Sequence, residues 1–320
     1  MNKQSVIAVY LGDALARYGF GDGHPFGADR QGAFVEELMR RGLDTQVDIR
    51  LPAKATDEQL LYFHTPDYLD RVKQQSITGE GYLDCGDTPA FKGVYEAAAT
   101  VVGTTLAAVD AVVSEECRQA FIPIAGLHHG RRDSAAGFCV FNDCGVAIEA
   151  LRNIYGIQKV AYVDIDAHHG DGVFYAFESD PNLVYVDFHE DGNYLYPGTG
   201  SATETGTDIA KGTKRNVPMP PGASDGLFMK YWDEAESFLE QAKPDFILLQ
   251  CGADSIAGDP ITHLAYSPAV HAHVTTRLCK MANRICNGNL VVMGGGGYNR
   301  ENLAKAWCAV VNALSTASGE

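Results

Sequence analysis

The sequence predicts an α/β fold with a single, mostly parallel central sheet flanked by helices. Three observations predict it. Six short apolar runs recur along the chain, each four to six residues long. Longer segments with helical patterning lie between them, so strand and helix alternate. The runs are apolar at nearly every position rather than at alternate ones, as in parallel strands covered on both faces.

The elements follow in chain order. Val6–Tyr10 reads as the first strand. Arg30–Arg41 is a helix that stops at Gly42. Thr56 is placed to cap a helix over Asp57–Phe63, with Gln59 three residues on, the pattern of a capping box. Gly93–Val113 is rich in Ala and Val and is expected to be a buried helix. Phe121–Ala125 is the second strand, followed by a helix over Asp143–Tyr155. Val160–Ile165 and Leu183–Phe188 are strands, then Ser224–Lys243 a helix. Phe246–Gln250, the helix Pro268–Cys286, the strand Leu290–Met293 and the helix Arg300–Leu314 complete the set.

With 320 residues the chain has room for one large domain or two small ones. Neither a repeat nor a Pro/Ser-rich linker divides it, so a single domain over residues 1–320 is expected. Hydrophobic residues at 46% and charged residues at 21% exclude a disordered chain. The 25 basic residues against 41 acidic ones leave a net charge of −16. That excludes non-specific nucleic-acid binding, which needs a basic surface. It suits a cationic substrate or simple solubility. No apolar run approaches the about 18–20 residues needed to span a bilayer. The N-terminus has only a five-residue apolar run before Asp13, without a signal-peptide pattern, so a cytoplasmic protein without a membrane partner is expected. The eight cysteines form no CxxC pair and are expected to be reduced core thiols. Oligomeric state is not legible.

In open α/β sheets the ligand site lies beyond the carboxyl ends of the strands. Four of the runs end in residues that carry chemistry. Phe121–Ala125 leads to His128 and His129, and Val160–Ile165 to Asp166, His168, His169 and Asp171. Phe246–Gln250 leads to Asp254, and Leu290–Met293 to four glycines and Tyr298. With a period of two, Asp164, Asp166 and His168 would share one side of a strand. Asp166 and His168 supply two ligands for a catalytic zinc and Asp254 a third, leaving one position open. Iron(II) accepts the same ligand types. Five ionisable residues in the eight positions 164–171 mark the segment out from ordinary turn carboxylates. The adjacent histidines can reach a metal-bound water, one taking its proton and the other holding positive charge. Each imidazole needs a carboxylate to fix its tautomer, and Asp164 and Asp171 are available. The Tyr298 hydroxyl can donate to an oxyanion. Together these parts describe metal-assisted hydrolysis of an amide or ester. No GxSxG or P-loop motif offers another chemistry.

These residues resemble the zinc-dependent histone deacetylase superfamily, including bacterial acetoin-utilisation-type deacetylases and acetylpolyamine amidohydrolases. The resemblance runs from about Gly23 to Trp307. It rests on GHPFGADR (23–30), AGLHHGRRDSAAGFCVFND (125–143), VDIDAHHGDGV (163–173), EDGNYLYPGTG (190–200), CGADSIAGDP (251–260) and GGGGYN (294–299). GHPFGADR looks most like the acetoin-utilisation branch. The resemblance implies an arginase-deacetylase fold and deacetylation of Nε-acyl-lysine in proteins, peptides or related small molecules. By matching positions it places zinc on Asp166, His168 and Asp254. It makes His129 the general base and acid, oriented by Asp171, and His128, paired with Asp164, the second histidine. Tyr298 would polarise the acyl carbonyl. Phe138 and Tyr196 match the aromatic pair lining the acyl-lysine channel, with Gly137 beside them. Asp87 resembles a rim aspartate that clamps substrate backbone, and Arg30 an arginine near an internal acetate cavity. A structural potassium is implied near Asp164, Asp166, His168, Asp187 and Phe188, largely through backbone carbonyls.

The single aspartate in Cys251-Gly252-Ala253-Asp254 disfavours the two-metal site of the related arginases. Ile261 stands where some polyamine-selective relatives carry an acid, which favours acyl-lysine. An acetylpolyamine or other small-molecule amidohydrolase is the alternative. A catalytically silent acyl-lysine binding module is a third reading, but it predicts the loss of a catalytic residue, and none is lost.

Overall fold

The computed structural model describes residues 6–21 and 23–317. Among these residues eight strands form one sheet, all in parallel pairs. They are β1 (Ile7–Tyr10), β2 (Asp48–Arg50), β3 (Gln119–Ile122), β4 (Val160–Asp164), β5 (Leu183–Glu190), β6 (Lys214–Met219), β7 (Phe246–Gln250) and β8 (Leu290–Met293). The helices of the described residues are α1 (Asp13–Ala16), α2 (Arg30–Arg40), α3 (Asp57–Leu60), α4 (Pro66–Thr78) and α5 (Val94–Val113), then α6 (Asp143–Asn153), α7 (Asp171–Ala176), α8 (Asp225–Ala242), α9 (Pro268–Ile285) and α10 (Arg300–Ala317).

The sheet order is β2-β1-β3-β8-β7-β4-β5-β6. Strands β3, β8, β7 and β4 are therefore consecutive neighbours at its centre. These are the four strands whose ends carry the histidines, the carboxylates and Tyr298. Every residue of β1, β3, β4, β5, β7 and β8 is buried, so helices and loops cover both faces. α5 packs on β1, β3 and β8, while α9 packs on β7 and β8 and α10 joins α9 to α2.

All six expected strands form, to within a few residues. The edges are less legible. β2 is three residues of Asp-Ile-Arg, and β6 reads Lys-Arg-Asn-Val-Pro-Met. Neither has an apolar run, because an edge strand needs only one paired side and tolerates proline. The short helices α1 and α7 and the polar α4 were also not foreseen. The capping box is present, with Thr56 Oγ1 accepting from the Gln59 N–H and Gln59 Oε1 from the Thr56 N–H, although α3 ends at Leu60.

One expectation needs correcting. α5 has 20 residues and a mean hydropathy of 1.5, enough by length and composition to cross a bilayer. Glu96, Asp110 and its Thr and Gly residues interrupt the apolar run in the sequence. Most of it is buried against α6 and the sheet, as a core helix would be. Seven cysteines are buried and none is paired, but Cys85 is exposed in a loop.

Candidate active site

β4 ends at Asp164, one residue earlier than expected. Asp166 and His168 therefore do not continue a strand face as the period of two predicted. They lie in a loop folded by its own carboxylates. Asp164 Oδ1 accepts the Asp166 N–H at 3.0 Å, and Asp166 Oδ1 accepts the His168 N–H at 3.0 Å. Each aspartate bonds the backbone two residues on, which replaces strand pairing with successive Asx turns.

That loop brings Asp166 and His168 to Asp254, which sits in a short turn after β7. One ligand atom from each of the three lies within 4.8 Å of the others, and all three residues are buried. His168 Nδ1 stands 3.0 Å from Asp166 Oδ1 and 3.2 Å from Asp254 Oδ2. Asp254 Oδ2 is buried without a hydrogen-bond partner. Burial and the neighbouring Asp166 carboxylate push Asp254 up to about 7. Burial works against protonating His168, yet the two carboxylates beside it carry it up to about 10. Two carboxylates crowded on one imidazole form a pocket short of positive charge, which a divalent cation fits. Glycines make the crowding possible. A Cβ on Gly252 would come within 2.0 Å of Asp166 Oδ2, and one on Gly296 within 2.1 Å of Asp254 Oδ2.

His128 and His129 face this cluster from the loop after β3. Their Nε2 atoms are 3.2 Å apart. His128 Nδ1 lies 2.8 Å from Asp164 Oδ2, and His129 Nδ1 lies 2.7 Å from Asp171 Oδ1. The pair is electrostatically split. Burial opposes charge on both, but Asp164 and Asp166 lift His128 to about 9. Burial and then the charge on His128 push His129 down to about 4. One imidazole is held charged and the other neutral.

His128, His129, Asp166, His168 and Tyr298 line one cavity of about 250 Å³ together with Phe138, Tyr196, Leu195, Ile261 and Asp87. Gly137, Phe26 and Cys139 also face it. Gly137 is needed because a Cβ there would come within 2.5 Å of the His129 ring. Phe138 and Tyr298 rings meet edge to face at 5.9 Å, and the Tyr196 ring lies 5.2 Å from His129. Phe138 has φ of 67°, a conformation that bulky residues avoid. Three bonds hold it there. The Tyr18 hydroxyl donates to Phe138 O at 2.7 Å and accepts the Val140 N–H at 2.9 Å, and the Phe138 N–H reaches Thr88 Oγ1 at 3.0 Å.

Arg30 lies outside the cavity lining. It is fully buried behind the glycine loop, donating to Gly297 O at 3.0 Å and Gly295 O at 2.6 Å, with Nη1 unpartnered. Burial pulls its guanidinium down to about 10. Asp187 uses its side chain within the fold. Its carboxylate accepts from Gly170 N and from the Tyr185 hydroxyl, and contacts His189 Nδ1 at 2.7 Å. Phe188 is buried against Phe228.

Several site residues were missed by sequence reasoning. Gln250 Nε2 donates to Asp166 Oδ2 at 2.9 Å while its Oε1 accepts the Gly252 N–H at 2.7 Å. Asp259 accepts the Tyr298 N–H at 2.8 Å and the Ile261 N–H at 3.1 Å, which ties the tyrosine loop to the apolar wall. Asp143 accepts from Gly126 N and Leu127 N, and the Asn142 amide donates to His128 O and Gly130 O. A polar residue ending an otherwise apolar strand was the available signal for Gln250. The others carry none that separates them from turn residues.

A family model of the histone deacetylase domain matches residues 24–314. The chain belongs to the histone deacetylase family. Curated relatives of this chain carry the name acetoin utilization protein AcuC. The Bacillus subtilis protein is 36% identical over 302 residues, covering 92% of this chain and 78% of its own length. That of Staphylococcus aureus strain MRSA252 is 33% identical over 319 residues, covering 97% and 82%. The crystal structure of the HDA15 HD domain is similar to this histone deacetylase fold with a TM-score of 0.90. It is 26% identical and covers 98% of this chain and 88% of that one. The all-parallel eight-stranded sheet is thus the arginase-deacetylase fold that the sequence resemblance implied, and membership brings deacetylase-type hydrolysis of acyl amides.

Proposed function

We propose that this protein is a zinc-dependent deacylase of Nε-acyl-lysine, acting through one catalytic domain on proteins, peptides or small lysine-like amides in the cytoplasm. The observation that carries the reading is the buried Asp166–His168–Asp254 cluster beside a split histidine pair in one aromatic-walled cavity. Asp166, His168 and Asp254 would hold the metal; iron(II) suits the same donors. When bound, the metal supplies Lewis-acid polarisation of the acyl carbonyl and acidifies a water.

The chain's own residues do the rest. His129 is neutral and its Nδ1 is fixed on Asp171, so its Nε2 takes a proton from the attacking water and returns it to the leaving amine. His128, kept charged by Asp164, sets a positive charge beside the developing anion. The Tyr298 hydroxyl donates to the oxyanion. Phe138 and Tyr196 flank the aliphatic stem of the acyl-lysine, and Asp87 at the mouth accepts substrate backbone N–H groups. Arg30, one Nη unpartnered behind the glycine loop, suits the released carboxylate. A potassium on the carbonyls of Asp164, Asp166, His168, Asp187 and Phe188 remains compatible with an Asp187 side chain that is already engaged.

The test is hydrolysis of a fluorogenic acetyl-lysine peptide by metal-loaded protein. Activity is expected in the wild type and lost in Asp254→Ala and His129→Ala, whereas full activity in either variant refutes the assignment. Acetylputrescine and acetylspermidine belong in the same panel. Ile261 puts an apolar wall in the cavity, so acyl-lysine is expected to win; strong preference for the polyamines reverses the order.

A further inference from the structure

A second cavity, of about 610 Å³, adjoins the mouth of the first and shares Asp87 and Tyr196 with it. Arg71, Arg131 and Asp84 stand in its walls. Two guanidiniums there balance the carboxylates of Asp84 and Asp87 in the same walls, on a chain whose net charge is −16. Of those two acids, Asp84 is already used. Asp84 Oδ1 accepts the N–H groups of Gly86, Asp87 and Thr88 at 3.0, 3.1 and 2.9 Å, and its other oxygen takes the Thr88 hydroxyl. It lines the hollow but spends its oxygens on closing its own loop. Arg71 spends one N–H on Leu83 O at 2.6 Å and lies over the Tyr68 ring. Arg131 reaches Asp171 Oδ2 at 3.4 Å, and its side chain is 59% exposed. A guanidinium has five N–H donors in a planar fork, so these contacts leave each arginine able to grip a planar anion.

We propose that Arg131 and Arg71 form a carboxylate-binding subsite beside the channel mouth, which selects acyl-lysine substrates bearing a carboxylate next to the acylated residue. The proposal rests on the acyl-lysine reading above. The carboxylate has two sources with the same chemistry: the α-carboxylate of a chain-terminal or free acyl-lysine, or a neighbouring Asp or Glu side chain. The subsite discriminates between substrates once they have arrived. An acetylpolyamine, whose other groups are ammonium, offers the two guanidiniums nothing to grip.

The experiment uses twin substrates. One pair has a C-terminal acetyl-lysine as free acid or carboxamide. The other has an internal acetyl-lysine flanked by Asp or Asn. kcat/KM is measured for the metal-loaded wild type, R131M, R131K and R71M, and the acid-to-amide ratio is taken within each enzyme. Any loss transmitted through Asp171 cancels in that ratio. The wild type is expected to favour the acid by about fivefold in at least one pair, the upper range for a partly exposed ion pair. R131M brings the ratio close to one, and R131K retains part of it because the charge remains. Which pair responds identifies the source. A wild-type ratio near one in both pairs overturns the subsite while leaving the deacylase reading intact. So does a ratio that survives both R131M and R71M. Failure to hydrolyse any of the four substrates removes the acyl-lysine reading, and the subsite with it.

Discussion

The floor of the cavity and its rim are built on different supports. The floor hangs from the four central strands, and its side chains are buried and braced by one another: Asp166 by Gln250, His128 by Asp164, His129 by Asp171. The rim is carried by loops. Asp87 sits in the 83–88 turn, Tyr196 is 44% exposed, and Phe138 is held in a strained backbone by the distant Tyr18. Rigid strand ends suit chemistry that tolerates little displacement, and loops suit recognition that varies with substrate. If the comparison is right, damage to the floor strikes turnover and damage to the rim strikes substrate capture.

The floor provides the largest effects. His129→Ala removes the one neutral imidazole of the pair, and kcat should fall by roughly 10²–10⁴-fold, the range for a positioned acid–base group. KM for an acyl-lysine peptide should move little. A large rise in KM with kcat preserved would break the division between floor and rim. Tyr298→Phe should cost kcat roughly 10²–10³-fold, the scale of one lost oxyanion donor. Since Tyr298 is pinned through its backbone by Asp259, the phenylalanine keeps its place, and the melting temperature should stay near that of the wild type.

The same division explains what could be read from the sequence. Central strands are covered on both faces, so they appear as unbroken apolar runs, and the residues that interrupt them at their ends stand out. Asp166, His168, Asp254, His128, His129 and Tyr298 were legible for that reason. The strand ending at Asp164 was overextended because the two Asx turns that follow imitate an alternating pattern. β6 escaped notice because Lys214 and Pro218 are compatible with an edge and with nothing more central. The supports of the rim were illegible for a different reason. Tyr18 lies 120 residues from the carbonyl it holds, and no local pattern marks such a pair.

That hidden support is a place to sharpen the comparison. Tyr18→Phe deletes the donor to Phe138 O and leaves the buried Val140 N–H unpaired. Stability should fall by about 1–3 kcal/mol, measurable by denaturant unfolding. Phe138 is then free to leave its left-handed conformation, and KM for an acyl-lysine peptide should rise by about tenfold. kcat at saturating substrate should change much less. An equal fall in kcat would mean that the aromatic wall also positions the reacting carbonyl.

The smallest effect concerns Asp87. Burial, reinforced by the neighbouring Asp84, lifts its carboxyl to about 6. The group is therefore charged above about pH 6 and becomes neutral as the pH falls through that value. Only the charged form offers both oxygens as strong acceptors to backbone N–H groups. KM for a peptide should thus be low above pH 6 and rise about fivefold as the pH is lowered through it, the scale on which a charged acceptor outperforms a neutral one. Asp87→Asn has no carboxyl to titrate and should flatten KM across that interval at a value near the acidic limit of the wild type. A small acyl amide without peptide N–H groups gives the matching control, because it has nothing for Asp87 to hold. If its KM shows the same rise, the titrating group belongs to the floor, and the separation of capture at the rim from turnover at the floor fails at this point.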